Sequence, residues 1–452
     1  MALTLSTTQS LTPQTPPAET KAPKTIYDIS ISLRNDGPDG ISNHTYHPED
    51  LISGSIHAQY VNAVELVHVA VTLEGTMRTW VDHEYYASAA RYDFLKQSQN
   101  IPRSERIPQQ DANERRCIMP FKFRIAPQCL PNQDLSPHLS GLPPSFKAGP
   151  TSRDQHGNQC MQPLIEYCIA VTIFYRSGTG PRLRQIRRSR TIDFSPLTEP
   201  EPPISVEDFP GEFKLTSTEE ARKGLFRTVC GDVTVSSSEF RPLPMFYDGK
   251  PGHTQGMVTL TLATLRLTNA EIQPPRWTCE VQMALIRRTF YTTMPIREVA
   301  CSRLLKKNKY LRLRKETIYE TTWSVDPLWW EHTHTRPDAP GIVSEATIPM
   351  PVRPPTQLIP TFATPLATVR YAVRVDIRIA QVTHPPLVIE VPLQVYHSRR
   401  IHGDGNGFRD SVSTVGPVDS AVCRLKSPMS YAMLTSLQAT SILLFVRTYD
   451  TQ

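Results

Sequence analysis

The sequence predicts an all-β protein made of two antiparallel β-sandwiches in tandem. In short segments along the chain, apolar residues alternate with polar ones, which is the pattern of a sheet with one buried and one solvent-exposed face. The 452 residues include 42 Pro but only 20 Gly, which indicates stiff connectors between strands and argues against long helices. A connector followed by a strand occurs in two similar copies about 200 residues apart, the spacing of two ordinary domains.

The two copies share residue types in the same order. The first is Leu-Pro-Pro-Ser-Phe at 142–146, followed by a strand that contains Tyr167. The second is Leu-Ile-Pro-Thr-Phe at 358–362, followed by a strand that contains Tyr371. Proline cannot donate to a β-ladder and favours an extended neighbour, so each five-residue piece suits a connector that enters a strand.

The first sandwich is predicted to span residues 25–195, after a Ser-, Thr- and Pro-rich segment at 1–24 whose composition is typical of disorder. The polar region 82–116 has only a weak pattern and is predicted to form long loops, and 191–195 a closing strand. In the other strands, the apolar residues predicted to share one face are, in chain order, Tyr27, Ile29, Ile31 and Leu33; Ile52, Gly54, Ile56, Ala58 and Tyr60; Val67, Val69, Val71 and Leu73; Phe121, Phe123 and Ile125; and Ile165, Tyr167, Ile169, Val171 and Ile173.

The second sandwich is predicted to span 204–397, after a proline-rich linker at 196–203. Its strands are predicted near 224–235, 257–267, 278–287, 310–322, 371–379 and 389–395. The region 329–355 is rich in Pro and Trp and is predicted to be a loop. The alternation stops after His397, so 398–452 is predicted to be a tail.

Charge and cysteine usage limit the class of protein. A net charge of +6 is mild for this length, so we expect no dedicated nucleic-acid binder. The eight cysteines form no C-x-x-C pair and no metal-like spacing, so we expect reduced thiols. Residues 1–24 contain no apolar stretch typical of a secretory signal, so the expected compartment is the cytosol.

Four pieces of the sequence, taken in order, resemble arrestin-domain proteins, and most of all the fungal α-arrestin branch. They are Tyr-x-Pro-x-Asp-Leu-Ile-Ser-Gly-Ser-Ile at 46–56, Phe-x-Phe at 121–123, Leu-Pro-Pro-Ser-Phe at 142–146, and Ile-Pro-Thr-Phe with Tyr-x-Val-x-Val in the second half. The resemblance covers roughly residues 25–397. It implies two immunoglobulin-like sandwiches joined by a short linker, which agrees with the strand pattern.

The resemblance implies a non-enzymatic adaptor in the cytoplasm that is recruited peripherally to the plasma membrane or endosomes. α-Arrestins bind membrane-protein cargo and recruit a ubiquitin ligase whose WW domains bind Pro-Pro-x-Tyr, which leads to endocytosis. None of the Pro-Pro pairs in this sequence continues as Pro-Pro-x-Tyr, which puts ligase recruitment in doubt. A sorting, coat or signalling scaffold subunit of the same fold, with no ubiquitin-ligase link, therefore stays open.

Two basic stretches are the candidate binding sites. In the second half, the sequence Leu-Arg-Leu-Arg at 311–314 would place its charges on one exposed strand face. Such faces can hold phosphorylated cargo tails or anionic lipid headgroups through charge-assisted hydrogen bonds, or can simply be solvated. The candidate residues are Lys306, Lys307, Lys309, Arg312 and Arg314 in this stretch, with Arg187 and Arg188 in the first half.

Signals for enzymatic or metal chemistry are weak. The chain has no G-x-S-x-G, P-loop or H-E-x-x-H motif, so no enzyme, cofactor or catalytic residue is predicted. His332 and His334 would share a strand face, but no third ligand is evident, which favours a surface pair over a metal site. The sequence at 403–407 resembles part of a calcium loop but lacks the closing acidic ligand. The apolar run within 431–446 is compatible with a docking helix, a peripheral anchor or an incorrect gene end.

Overall fold

The chain is described by a computed structural model that covers residues 26–37, 44–61, 64–82, 86–110, 114–125, 141–148, 150–153, 159–161, 163–177, 182–198, 206–224, 226, 228–264, 277–326, 328, 330–335, 342–398 and 445–448. The predicted segment 1–24 and the calcium-like sequence at 403–407 lie outside these residues. Strands make up 68% of the described residues and helices only 4%, so the predicted all-β class is confirmed.

The described residues of the first half contain no α-helix. Its strands are β1 (Ile26–Leu33), β2 (Thr45–Tyr46), β3 (Leu51–Val61), β4 (Val64–Asp82), β5 (Tyr86–Asn100), β6 (Ile107–Gln110), β7 (Glu114–Arg124), β8 (Phe146–Lys147), β9 (Pro150–Arg153), β10 (Gln159–Met161), β11 (Leu164–Ser177) and β12 (Leu183–Phe194).

Among its described residues, the second half has one short α-helix, α1 (Ser302–Lys307), between two long strands. Its strands are β13 (Thr216–Lys223), β14 (Thr228–Ser237), β15 (Leu243–Phe246), β16 (Thr254–Thr264), β17 (Cys279–Thr292), β18 (Leu311–Val325), β19 (Glu331–Thr335), β20 (Ile342–Val352), β21 (Phe362–Ala363), β22 (Ala367–Ile379), β23 (Leu387–Leu393) and β24 (Val395–Ser398). A last strand, β25 (Phe445–Thr448), follows later in the chain and belongs to a sheet of the first half.

Each half packs two main sheets face to face. In the first half, the sheet β1-β3-β7-β6 faces the sheet β2-β12-β11-β4-β5-β25, which β8 joins through β11. In the second half, the sheet β13-β14-β16-β20-β19 faces the sheet β18-β17-β22-β21, which β23 joins through β22. Neighbouring strands in these sheets run antiparallel, except for the short β2–β12 pair. The apolar inner faces form the buried core.

Most predicted core faces are buried as expected. In β3, Ile52 and Ile56 are fully buried, and in β11 the face that carries Tyr167 is fully buried too. Val67 is an exception: it was predicted to share the face of Val69, but Leu66 is buried there instead. A β-bulge in the β4–β11 pair lies at this point, with Val67 as the extra residue. The bulge reverses which residues of β4 point inward on the N-terminal side of Val67.

The prediction of long loops at 82–116 is wrong, because β5, β6 and the start of β7 lie there. β5 pairs with β4 over most of its length and buries Ala90, Phe94 and Leu95. Phe94 and Leu95 are adjacent because a bulge opposite Gly75 and Thr76 shifts the register. The bulge interrupts the period of two, so the sequence pattern looks weak although the strand is real.

The prediction of a loop at 329–355 is also wrong, because β19 and β20 occupy much of it. β20 pairs with β16 along its whole length and buries Ile348 and Met350. Its prolines, Pro349 and Pro351, lie on the exposed face and beyond the stretch that β19 covers. A proline without a second neighbouring strand costs the sheet no ladder hydrogen bond on that side, so the strand tolerates both.

Within the predicted tail, the described residues form β25, which pairs antiparallel with the start of β5. The pairing joins Phe445 to Ala89 and Thr448 to Tyr86. The rest of the segment at 431–446 lies outside the described residues.

Candidate functional site at the junction of the two halves

Each copy of the repeated motif closes onto its own strand through a tyrosine. The hydroxyl of Tyr167 donates to the carbonyl of Pro143 at 2.6 Å, and the hydroxyl of Tyr371 donates to the carbonyl of Ile359 at 3.0 Å. Pro143 and Ile359 are the second residues of their copies, so the two bonds are equivalent. Burial raises the pKa of Tyr371, which keeps its hydroxyl protonated and able to donate.

A second pair of hydrogen bonds also repeats. The amide of Ser145 donates to the carbonyl of Phe194 at 2.8 Å, and the Ser145 hydroxyl oxygen accepts from the Phe194 amide at 2.9 Å. In the second half, the amide of Thr361 donates to the carbonyl of Val395 at 2.8 Å, and its Oγ1 accepts from the Val395 amide at 3.1 Å. The Ser or Thr in each copy is therefore needed to tie the connector to the closing strand.

The two copies meet at the contact between the halves. The ring of Phe146 packs edge-on against the ring of Phe362, with centroids 6.1 Å apart. The guanidinium of Arg287 lies 5.5 Å from the centroid of Phe146, and Nη1 of Arg314 donates to the carbonyl of Ala148 at 2.5 Å. The connectors predicted from the sequence thus form part of the junction as well as entering the strands.

A second contact between the halves is made by buried hydroxyl groups. Oγ1 of Thr79 donates to the carbonyl of Thr292 at 2.7 Å, and the hydroxyls of Ser88 and Thr293 lie 2.7 Å apart. All four residues are buried. This contact contains no ionisable group, which distinguishes it from the contact around the linker.

Next to the junction lies an exposed basic surface, which we define as Lys306, Lys307 and Lys309. Lys306 and Lys307 form the last turn of α1, and Nζ of Lys309 lies 5.2 Å from the ring centroid of Tyr310. Within the described part of the chain, no carboxylate forms an ion pair with any of the three lysines. Their charges are therefore available to a partner.

Helix α1 is fixed to the second sandwich at its start and along one side. The amide of Ser302 donates to Oε1 of Glu212 at 2.6 Å. Leu304 and Leu305 pack on a small apolar cluster that contains the buried residues Phe290 and Leu311. The basic surface is consequently held in place and does not depend on a free loop.

Arg312 and Arg314 do not join this surface in the way the sequence suggested. Both are only partly exposed. Nη1 of Arg312 donates to the carbonyl of Lys309 at 2.6 Å, and Arg314 contacts Ala148 and also pairs with Glu316 at 2.7 Å. Arg314 therefore supports the junction, because its charge is already used there.

Arg187 and Arg188 lie in β12 on opposite faces, so they do not form one patch. Both oxygens of the Glu74 carboxylate accept from Nη2 of Arg187, at 2.7 and 2.6 Å. Arg188 is exposed and lies opposite Val171 of β11. Of these two candidates, only Arg188 keeps a charge without a carboxylate in the described residues.

A buried ionic cluster, which sequence reasoning missed, lies beneath the segment 206–214. We define it as Glu212, Arg288, Arg370 and Glu390. Nη2 of Arg370 donates to Oε2 of Glu212 at 2.8 Å, and Nη2 of Arg288 donates to the backbone carbonyl of Glu212 at 2.6 Å and to the Glu390 carboxylate. The side chains of Glu212, Arg288 and Arg370 are 1%, 2% and 4% exposed, so their charges are compensated inside the protein.

Aromatic rings complete the cluster. The guanidinium of Arg370 lies 4.4 Å from the ring centroid of Phe209 and 4.8 Å from that of Phe290. Arg288 lies 5.1 Å from the ring centroid of Phe213. These contacts add to the attraction of the carboxylates. Arg288 and Arg370 lie opposite each other in the β17–β22 ladder. Two buried cations at neighbouring positions need an anion between them, and the sequence does not reveal that these two arginines are neighbours.

A further exposed feature is the hairpin tip, which we define as the described residues Gly224 and Phe226 between β13 and β14. Phe226 is 95% exposed there, and the neighbouring Arg222 and Lys223 are exposed as well. The backbone φ of Gly224 is +76°, a conformation that favours glycine in a tight turn. The tip lies by Thr383, at the end of the second sandwich away from the junction.

The remaining sequence candidates do not converge on a site. A β-bulge separates His332 from His334 in the β19–β20 pair. No group of three metal-ligating side chains occurs among the described residues. No helix in the described ranges is long and apolar enough to cross a membrane. The chain matches no protein-family model and no curated protein.

Proposed function

We propose that the chain is a non-enzymatic, arrestin-like adaptor that binds acidic segments of membrane-protein cargo and links them to ubiquitin-dependent endocytosis or trafficking. The observation that supports this most is the basic surface of Lys306, Lys307 and Lys309. Its three lysines are exposed, two of them lie on an anchored helix and the third lies just after it, and none has a carboxylate partner among the described residues.

The position of the surface favours a peptide ligand. Ammonium groups bind carboxylates and phosphates through charge-assisted hydrogen bonds. Helix α1 leads into β18, whose Arg314 contacts Ala148 of the first half. A peptide bound beside this junction could contact both halves, whereas an isolated charge on a distant loop could contact only one.

The direct test is charge reversal of the basic surface. The variant Lys306→Glu, Lys307→Glu, Lys309→Glu should bind an acidic or phosphorylated peptide at least about tenfold more weakly at low salt, and less so at high salt because exposed charges are screened. The measurement is fluorescence anisotropy with a labelled peptide. A matched control reverses three exposed cations elsewhere, Lys96, Arg115 and Lys250.

The control separates a local effect from one of net charge. Equal weakening in both variants, or none in the first, would contradict the proposed site. If the unmodified protein binds anionic vesicles but no peptide, the surface is a lipid contact instead.

Peripheral recruitment to a membrane has separate support from the hairpin tip. An aromatic side chain beside cationic residues suits the headgroup region of an anionic bilayer. We therefore propose the tip as a membrane contact. Phe226→Ser should reduce sedimentation with anionic vesicles several-fold and leave peptide binding unchanged.

The alternative function is a sorting, coat or signalling scaffold subunit of the same fold without a ubiquitin-ligase link. The sequence offers no Pro-Pro-x-Tyr to a WW domain, which keeps this alternative open. Affinity capture distinguishes the two, since a ligase together with cargo favours the adaptor and coat subunits alone favour the scaffold.

A further inference from the structure

Two buried histidines, one from each half, hold the start of the linker. His47 follows β2 and His397 lies in β24, and they are 4% and 7% exposed. Both contact Ser195, the residue after β12. Nδ1 of His47 lies 2.7 Å from the Ser195 carbonyl oxygen, and Nδ1 of His397 lies 2.5 Å from the Ser195 hydroxyl oxygen. Nε2 of His397 lies 2.8 Å from the carbonyl oxygen of Leu358.

The carbonyl partners fix where the protons lie. A carbonyl oxygen only accepts, so Nε2 of His397 carries a hydrogen and donates to Leu358. In the neutral ring Nδ1 is then an acceptor, and the Ser195 hydroxyl donates to it. By the same reasoning, Nδ1 of His47 donates to the Ser195 carbonyl. The neutral form of His397 thus has both ring nitrogens satisfied.

The linker backbone continues this contact. The amide of Thr198 donates to the carbonyl of His397 at 3.1 Å, and the amide of His397 donates to Oγ1 of Thr198 at 3.2 Å. On the other side, the ring of Tyr247 packs on the ring of His47 at 4.6 Å. The linker is therefore tied to the second half through the same strand that carries His397.

The surroundings of His397 disfavour a positive charge. The groups that face it are the Ser195 hydroxyl, the Leu358 carbonyl, the Thr198 backbone and the imidazole of His47, and no carboxylate forms an ion pair with it in the described chain. Burial lowers the pKa of His397; the hydrogen bond to the Leu358 carbonyl opposes this less strongly, and a charge on His47 has a still smaller lowering effect.

We propose that this histidine contact is pH-sensitive: it holds the start of the linker, residues 195–198, against the second half while His397 is neutral, and it releases these residues in mild acid. A proton on His397 must occupy Nδ1, which changes that atom from acceptor to donor. The Ser195 hydroxyl must then turn so that its oxygen accepts from Nδ1, its own hydrogen loses His397 as an acceptor, and a buried charge is created beside a second imidazole.

The direction of the effect follows from linkage. In the open form His397 is solvated and titrates near its ordinary pKa of 6.5, whereas in the closed form its pKa is lower. The contact is therefore fully stable above 6.5 and weakens as the pH falls from 6.5 through the lower value. One proton changes the opening equilibrium by at most about tenfold per pH unit.

The other junction contact supplies an internal control. Thr79, Thr292, Ser88 and Thr293 join the halves through hydroxyl and carbonyl groups that do not titrate. An acid effect on the histidine contact alone would appear at residues 195–198 and 395–398, and not at the strand ends that carry these four residues.

Hydrogen exchange of the full-length protein tests the proposal. Exchange is measured between about pH 7.5 and pH 5 and corrected for intrinsic rates. Once the pH is below 6.5, the protection of residues 195–198 and 395–398 should decrease by up to about tenfold per pH unit. Protection around Thr79 and Thr292 should stay constant. His397→Asn keeps an acceptor near the position of Nδ1 and cannot titrate, so its profile should be flat.

An NMR titration of the His397 ring in the unmodified protein needs no variant. Proton uptake by His397 in the same pH interval as the loss of protection supports the proposal. Protection that stays constant to about pH 5, that falls without titration of His397, or that falls equally in His397→Asn would overturn it.

Discussion

The two halves share a connector motif but handle buried charge differently. In both, a tyrosine hydroxyl and a Ser or Thr side chain tie the connector to its sheet with the same hydrogen bonds. Only the second half, among the described residues, covers the outside of a sheet with a buried ionic cluster. In the first half, the comparable Asp36–Arg190 pair lies near the surface at the sandwich edge. The hydrogen bonds that tie the connector to its sheet are thus common to both halves. A buried ionic cluster attaches the segment 206–214 in the second half.

The largest expected effect comes from breaking the ionic cluster. Glu212→Gln removes the carboxylate that pairs with Arg370 and leaves Glu390 as the one anion of the cluster for two buried guanidinium groups, so we expect the second half to lose about 3–5 kcal/mol of stability. Urea unfolding followed by tryptophan fluorescence measures it, since Trp80 is the one tryptophan outside the second half.

The matched change in the first half is Asp36→Asn. Its pair with Arg190 is partly solvated, so the expected loss is no more than about 1 kcal/mol. Hydrogen exchange of β1 and β12 measures it. Losses of similar size at Glu212 and Asp36 would remove the contrast between the halves.

The next effect compares the two tyrosines. Tyr167→Phe and Tyr371→Phe each remove one hydroxyl and leave one buried carbonyl without that donor, so we expect each to cost about 1 kcal/mol. Exchange of the β11 and β22 amides measures the two separately. The equivalence of the motif copies requires the losses to agree within about 0.5 kcal/mol, and a loss confined to one copy would contradict it.

Sequence alone predicted the features that depend on period and local chemistry. In β3, β11 and β22 most of the residues predicted to share one face are buried, although the first seven residues of β22 are all buried, and the connectors stand before their strands as the Pro and Phe residues indicated. β5 was missed because a bulge interrupts its period, and β20 because prolines usually exclude a strand. In both cases the deciding information is the identity of the neighbouring strand, which the local sequence does not contain.

The candidate site was predicted only in part, for a similar reason. Lys306, Lys307 and Lys309 are exposed as expected, but Arg314 and Arg187 are engaged by Ala148 and Glu74, which are distant in sequence. The ionic cluster and the histidine contact depend wholly on such long-range pairings. A sequence shows which residues are charged, but the fold is needed to show which of those charges are already paired.

The smallest expected effect is the pH dependence of the Asp36–Arg190 pair. Burial acts to raise the pKa of Asp36, but the hydrogen bond and charge of Arg190 and the Leu33 amide outweigh it, so the pKa lies below 3.8. A lowered carboxyl pKa gives stability that is present above 3.8 and is lost as the pH falls below it. The difference in β12 exchange between the unmodified protein and Asp36→Asn should therefore be constant near neutral pH and shrink below 3.8. A difference that persists in full well below that pH would mean that packing, and not the ion pair, closes this edge of the first half.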